Sequence, residues 1–381
     1  MKSKSSTIRF LYASSESCAD TLYLGGVFVP DPYLSIITSS GCYAVVSRLE
    51  YSRVRAHSKY DEVMLLDEIK AKAAKVLGLP EADIRPGQIM CYFAQRFAVK
   101  KVEVSENFPS VYYAVLHEAG YNLTVKEGLF FPKRMKKSDE EAKAIARGNA
   151  ASAAGLRLAE RVLRESVIEG KRLVYRGRTL TSERLRTMID QACLEKGAVA
   201  KRTIVAGGRQ ACDPHEIGHG RLRANELIIV DVFPRVQKTG YYGDMTRTFL
   251  KGRATPEQRR LVATVREAHQ TAIATVASGV KCSAVHNEVQ AHFTAKGYET
   301  TRRGNVFHGF FHSTGHGLGL EVHELPQLGK VPGKLKAGHV VTIEPGLYYP
   351  GLGGCRIEDV VRVTEEGSEL LSKMNYRWEI R

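Results

Sequence analysis

Carboxylates set inside apolar, strand-like runs are the feature that most constrains this 381-residue chain. Asp231 follows Leu227-Ile228-Ile229-Val230 and precedes Val232-Phe233, and Glu344 follows Val340-Val341-Thr342-Ile343 and precedes Pro345-Gly346. Glu358 stands between Arg356-Ile357 and Val360-Val361, and Asp244 follows Tyr241-Tyr242-Gly243. Short apolar runs bounded by turn residues predict buried strands. An ionised carboxylate carried into such a strand is costly unless something positive meets it. A pair of divalent cations would balance four carboxylates, and His316 offers a nitrogen donor beside them.

The rest of the composition describes a protein able to bury such a centre. Apolar residues make up 43% and charged residues 25%, without a long apolar run, as in a soluble globular protein. The length favours two domains. Seven scattered cysteines suggest neither a disulfide framework nor a thiolate zinc site, and they fit a reducing cytoplasm. The start, Met1-Lys2-Ser3-Lys4-Ser5-Ser6-Thr7, lacks the apolar core of a secretory signal. The net charge of +15 is spread in short clusters rather than gathered in a tail, so neither a nucleic-acid nor a membrane partner is expected.

Punctuation along the chain divides it near Pro132-Lys133, giving an amino-terminal domain over 1–132 and a second over 133–381. The first reads as α/β: Thr21–Leu24, Tyr33–Ile37 and Tyr43–Val46 as strands, and Tyr60–Leu77 as an amphipathic helix. The second opens on a capping box, Ser138 with Glu141, and has two similar halves. In each half two helices precede a hairpin with an acidic pair, Asp231 with Asp244 and then Glu344 with Glu358. Later helices are predicted from Ser182 to Lys196, from Thr255-Pro256 with Gln258 to about Gly279, and from Ser283 to Lys296. Side chains facing each other across a hairpin share one side, so two such hairpins could frame one dinuclear site. Between the acidic pairs lies His312-Ser-Thr-Gly-His316-Gly-Leu-Gly-Leu-Glu-Val-His323-Glu324, whose glycines allow close backbone approach and whose histidines offer ligands.

These motifs, with Gly243-Asp244-Met245-Thr246-Arg247-Thr248, Glu344-Pro345-Gly346 and Arg356-Ile357-Glu358-Asp359, resemble those of the pita-bread metallopeptidases. That family includes Xaa-Pro aminopeptidase, prolidase and methionine aminopeptidase. The segment from Arg9 to about Phe131 resembles the amino-terminal domain of the proline-specific branch and argues against a methionine aminopeptidase. The resemblance implies an α+β pita-bread catalytic domain behind a smaller α/β amino-terminal domain. It implies a metal set of Asp231, Asp244, His316, Glu344 and Glu358, with Asp231 terminal on one ion, Asp244 and Glu358 bridging, and His316 and Glu344 completing the other. It further implies Glu344 as proton acceptor, His323 as the contact to the scissile peptide and His312 as a further active-site histidine. His215 matches the histidine ahead of the first metal strand, with His219 as its competitor. Arg356 is expected to anchor a carboxylate through its fork of donors, and Tyr242, with Tyr241, Phe307 and Phe310, to offer walls for a proline ring.

The carboxylate-rich set favours manganese among two divalent ions, with cobalt, iron or zinc as alternatives. The implied function is hydrolysis of the Xaa-Pro bond at peptide amino termini, with Xaa-Pro dipeptidase as the alternative and a non-catalytic binding protein of the same fold further off. The implied substrates are peptides with proline second, and relatives of this kind extend the expectation to a homodimer. Twelve residues separate Asp231 from Asp244, a longer stretch than the family usually has. The excess is expected as extra turn residues within Arg235–Thr239, because a register slip would turn one carboxylate to the wrong face.

Overall fold

Up to Arg134 the chain alternates strands and helices around one mixed sheet, and from Met135 to Arg381 it forms a second compact unit in the computed structural model, which describes residues 7–381. The first unit holds β1 (Thr7–Ala13), α1 (Ala19–Gly25), β2 (Tyr33–Ile37), β3 (Cys42–Val46), α2 (Arg48–His57), β4 (Glu62–Leu65) and α3 (Leu66–Leu77). It continues with α4 (Pro86–Arg96), β5 (Lys101–Ser105), α5 (Ser110–Glu118) and β6 (Asn122–Lys126). The sheet order is β4-β3-β2-β1-β5-β6, with β1 antiparallel to β2 and parallel to β5. Ile8, Phe10, Ile36, Met90, Phe93, Val102 and Val104 fill its main core.

Two local expectations fail here for identifiable reasons. Thr21–Leu24 is helical rather than extended: Asp20 lies in the first turn of α1, and Gly26, at φ 67°, closes it with its N–H on the Leu22 carbonyl. A four-residue apolar run is too short to carry a period, and of the Gly pair after it Gly25 ends the helix and Gly26 caps it. Tyr60–Leu77 is not one helix, since Glu62–Leu65 first adds a parallel strand beside β3 and the helix starts only at Leu66, with Asp67 and Glu68 in its first turn.

In the second unit, α6 (Asp139–Glu165) opens on the expected box, Ser138 Oγ accepting from the Glu141 N–H and Glu141 Oε2 from the Ser138 N–H. The strands β7 (Val167–Glu169), β8 (Arg172–Tyr175) and β9 (Arg178–Thr179) make a small antiparallel sheet before α7 (Ser182–Glu195). Then come β10 (Ala198–Val199), β11 (Ile204–Gly207), β12 (Ile228–Val232), β13 (Arg235–Val236) and β14 (Met245–Lys251). The second half begins with α8 (Pro256–Thr275), capped by Thr255 and Gln258, and α9 (Cys282–Ala295). It continues through β15 (Thr301–Arg303), β16 (Val306–His308), β17 (Gly315–Gly317), β18 (Glu324–Leu328) and β19 (Val340–Ile343). The last strands are β20 (Gly346–Tyr349), β21 (Gly353–Arg356), β22 (Asp359–Val363), β23 (Ser368–Leu370) and β24 (Glu379–Ile380).

Two sheets carry the functional strands, β11-β12-β14-β24 and β18-β17-β19-β22-β23. Each packs on its own helix pair. Leu156, Leu163, Ile189, Val230 and Phe249 join α6 and α7 to the first, while Leu261, Val265, Val289, Phe293 and Val341 join α8 and α9 to the second. At about 25 cal/mol per Å² of apolar surface removed from water, such side chains each stabilise the fold by roughly 1.5–3 kcal/mol.

Candidate active site

Both acidic pairs sit at defined points of a hairpin ladder. In the first, Asp231 pairs with Thr246 and Val232 with Met245. The same register continues beyond the strands, through Gly243 N–H to Pro234 O at 3.0 Å, the Arg235–Tyr242 bridge, and Val236 N–H to Tyr241 O at 2.9 Å. The long spacing is therefore absorbed in the turn after Val236, where Gly240 N–H closes on Val236 O at 2.8 Å, and no slip reaches Asp231. Asp244 lies two residues before the partner of Asp231, so the two acids are diagonal neighbours on one face rather than directly opposite.

In the second hairpin the ladder of β19 with β22 ends at Ile343–Asp359, and that of β20 with β21 begins at Gly346–Arg356. Glu344-Pro345 and Ile357-Glu358 fill the gap between them. Proline has no N–H to donate, so the Ile357 N–H, 3.5 Å from Pro345 O, is the bond that spans the hairpin there. By the alternation of an antiparallel ladder the neighbouring pair points its amides outward: Glu344 N–H reaches Thr314 O at 2.8 Å, two residues before His316, and Glu358 N–H reaches Thr246 O at 3.1 Å, two residues after Asp244. These two bonds fasten the second acidic pair to both the histidine segment and the first hairpin.

Side chains of all five residues converge. Ligand atoms of Asp244, His316 and Glu358 lie within 4.8 Å of one another, and all three residues are buried. His316 Nε2 is 3.3 Å from Glu344 Oε1 and 3.8 Å from Asp244 Oδ2. Its Nδ1 faces the Gly317 carbonyl at 3.1 Å, which assigns the proton to Nδ1 and leaves the Nε2 lone pair directed at the carboxylates. Asp231 Oδ2 accepts from Arg356 Nη2 at 2.8 Å, while Asp231 Oδ1 is buried with no hydrogen-bond partner.

Burial and mutual repulsion dominate the electrostatics. Burial, then Glu358, Asp231 and Glu344, hold the Asp244 carboxyl well above its usual range against the opposing Arg356. Burial with Glu344 and Asp231 does the same to Glu358, and burial lifts Glu344 to about 7. Arg356 alone cannot neutralise this group. An orphaned Asp231 oxygen, three carboxylates strained as anions and an imidazole presenting a lone pair make a donor set that fits divalent metal.

The other expected residues surround this cluster. His323 is solvent-exposed, with its ring edge-on to His316 at 4.4 Å between centroids. Burial and then the Arg356 charge push His312 down to about 3. Its Nδ1 faces Ser313 O at 2.7 Å and its Nε2 the Tyr348 hydroxyl at 2.9 Å, so it stands neutral with Tyr348 donating. Tyr348 in turn accepts from Arg356 Nη1 at 3.0 Å. His215 is exposed on the loop after Pro214, whose carbonyl takes Arg356 Nη1 at 3.4 Å, and its charge acts on His312 and His323. His219 instead pairs with Gln210 and Glu216.

Of the aromatic candidates, Phe310 is core, 2% exposed, and Tyr242 packs half-buried on Ile145, Leu318, Val340 and Val360. Tyr241 donates to Glu141 Oε1 at 2.5 Å. Phe307 is exposed, its ring tilted 39° to that of Phe311, which lies 5.3 Å from the Tyr348 ring and 6.3 Å from that of His312.

Several supporting residues escaped sequence reading. Thr246 Oγ1 donates to Glu358 Oε2 at 2.7 Å, and the Asn149 side-chain oxygen accepts the Asp244 N–H at 2.9 Å. Buried Arg247 donates to Glu358 O at 2.6 Å and to Asp359 Oδ1 at 2.8 Å. The alternation Thr246-Arg247-Thr248 beside Asp244 was a usable signal for the strand residues. Asn149, on a helix distant in sequence, carried none.

Comparison with known proteins shows the family and the fold. Residues 143–365 match metallopeptidase family M24, and the chain belongs to that family. An Xaa-Pro dipeptidase of Pyrococcus furiosus is 35% identical over 173 residues, 45% of this chain and 47% of that protein, so the chain spans about half the length of the curated relatives it matches. A solved prolidase from Pyrococcus furiosus superposes with TM-score 0.76 at 23% identity, covering 97% of each chain. An X-Pro aminopeptidase from Thermotoga maritima superposes with TM-score 0.79 at 20% identity, covering 98% of this chain and 97% of its own. The likeness to these structures is one of fold, the α+β pita-bread fold with an amino-terminal α/β domain.

Proposed function

We propose that this protein hydrolyses the Xaa-Pro bond at the amino end of peptides, as an Xaa-Pro aminopeptidase. The convergence of Asp231, Asp244, His316, Glu344 and Glu358 on one buried point is the observation that carries the reading. A dipeptidase reading stands second, favoured by the relative named Xaa-Pro dipeptidase. A non-catalytic role would leave so many buried carboxylates without a purpose that offsets their cost.

In this reading Asp231, Asp244, His316, Glu344 and Glu358 hold two divalent ions, manganese first. When bound, such ions supply Lewis-acid polarisation of the scissile carbonyl and make water acidic enough to serve as nucleophile near neutral pH. The chain's own residues do the rest. Glu344 accepts the water proton at Oε1 and carries it toward the departing proline nitrogen. His323 offers a ring nitrogen to the scissile peptide as charge grows on its oxygen. Arg356 holds Asp231 by one arm and, through Tyr348, keeps His312 in its neutral tautomer. His215, close enough to His312 and His323 to act on both electrostatically, is assigned as a further contact for the peptide.

Proline presents no N–H, so recognition of it needs an apolar wall rather than a carbonyl acceptor. Phe307 and Phe311, beside His312 and Tyr348, supply such a surface. All seven cysteines are unpaired, which supports a reducing, cytoplasmic setting. Among the described residues no helix is long and apolar enough to cross a membrane.

The test is an assay of the manganese-loaded protein on Xaa-Pro dipeptides and on longer peptides with proline second. Cleavage of the longer peptides supports the aminopeptidase reading. Cleavage of dipeptides alone moves the protein to the prolidase reading, and cleavage of neither discards both.

A further inference from the structure

The segment carrying His323 is fastened to an ion pair that uses none of the five proposed metal donors. Lys137 Nζ donates to Glu324 Oε2 at 2.9 Å, and the two side chains are 2% and 1% exposed. The other carboxylate oxygen, Oε1, accepts the backbone N–H groups of Leu320 at 3.0 Å and Glu321 at 3.2 Å. Gly319 lets the carboxylate approach, since a Cβ there would stand 2.7 Å from Glu324 Oε2. Gly319 also accepts from Tyr242 N–H at 2.9 Å, on the hairpin of Asp244.

The lysine end is equally fixed. Lys137 N–H donates to Gly338 O at 2.8 Å, its carbonyl accepts from Arg362 Nη2 at 3.2 Å, and Ser138 caps α6 immediately after it. The pair therefore ties the base of α6 and the strand ends at Gly338 and Arg362 to the turn at 319–324. A fully buried ion pair is seldom the most stabilising choice for its volume, because desolvation offsets much of the attraction. What such a pair gives is one geometry, and the residue next to Glu324 is His323, whose ring stands edge-on to His316.

We infer that Glu324, held by Lys137, is a positioning residue for the proposed reaction: it fixes the 319–324 turn so that His323 meets the peptide beside His316. The inference rests on the functional reading given to His323. Glu324 acts through the turn, by its two amide bonds, and touches no substrate.

Two measurements on the metal-loaded full chain test it. The first is hydrogen exchange of the 317–325 segment in wild type and in the double variant Lys137→Met/Glu324→Gln, which removes both charges of the pair. Exchange in that segment speeds up in the variant while metal content is retained; unchanged exchange overturns the proposal. The second is a kinetic cycle combining the double variant with His323→Phe. Each alone lowers kcat, by about a hundredfold where a reacting group is misplaced by an ångström, and leaves KM little changed. Because both act through one ring, the combined variant is no slower than His323→Phe; multiplied losses overturn the proposal. Lys137→Arg, which keeps the charge, restores exchange protection and turnover relative to Lys137→Met, and a Lys137→Arg protein as impaired as Lys137→Met counts against the ion pair. Should wild type cleave neither Xaa-Pro substrate, the functional reading fails and with it the catalytic purpose assigned to Glu324, whereas the exchange result still reports separately on the anchor.

Discussion

Single side chains behind the proposed metal donors decide how firmly those residues are held. Glu358 is followed by Asp359, which turns the other way to meet Arg247 at 2.8 Å, Ser372 Oγ at 2.6 Å and His269 Nε2 at 3.3 Å. Burial dominates His269 and, despite Asp359, pushes it down to about 4 from its ordinary 6.5. The folded chain thus refuses a proton that the unfolded chain accepts. The stability contributed by neutral His269 is complete above pH 6.5 and is lost as pH falls through about 4. His269→Gln should flatten that acid slope, by on the order of 3 kcal/mol in unfolding free energy between those limits. Urea titrations across this range check it, and an unchanged slope would show that His269 takes up its proton in the folded state.

At the scale of elements, contacts between segments distant in sequence set the site. Gly148 of α6 packs on the backbone of Tyr242-Gly243, where a Cβ would stand 2.4 Å from Gly243 N, and the next residue, Asn149, accepts the Asp244 N–H. Gly148→Ala should therefore destabilise the fold by about 1–3 kcal/mol, as overpacking does, and weaken metal retention by moving Asp244. Denaturant midpoints together with metal content read both effects. This contact also shows where sequence reading stops. The acidic hairpins, the capping boxes at Ser138 and Thr255 and the helices of the second unit follow from local pattern, and the four carboxylates proposed as donors from their place in apolar runs, with His316 proposed from the glycine- and histidine-rich segment between them. Asn149, Tyr348 and the Lys137–Glu324 pair do not, because each acts across a long sequence separation that no periodicity marks. Thr21–Leu24 fails for the opposite reason, being too short for its own pattern to outweigh a glycine cap.

For the molecule's second unit, two helix-backed sheets each bring an acidic pair to a common point, and neither half holds the complete proposed set of donors. Asp231 and Asp244 come from the first hairpin, Glu344 and Glu358 from the second, and His316 from the strand beside it. A cation bound there links the halves, so it should raise the unfolding temperature by mass action as well as permit turnover. The most direct test of the central claim is elemental analysis after dialysis of wild type and Asp244→Ala, with Xaa-Pro peptide turnover measured on the same samples. Wild type should retain divalent metal and cleave, while Asp244→Ala, still folded, should lose metal and activity together. Cleavage by metal-free wild type, or full metal content and turnover in Asp244→Ala, would contradict the account.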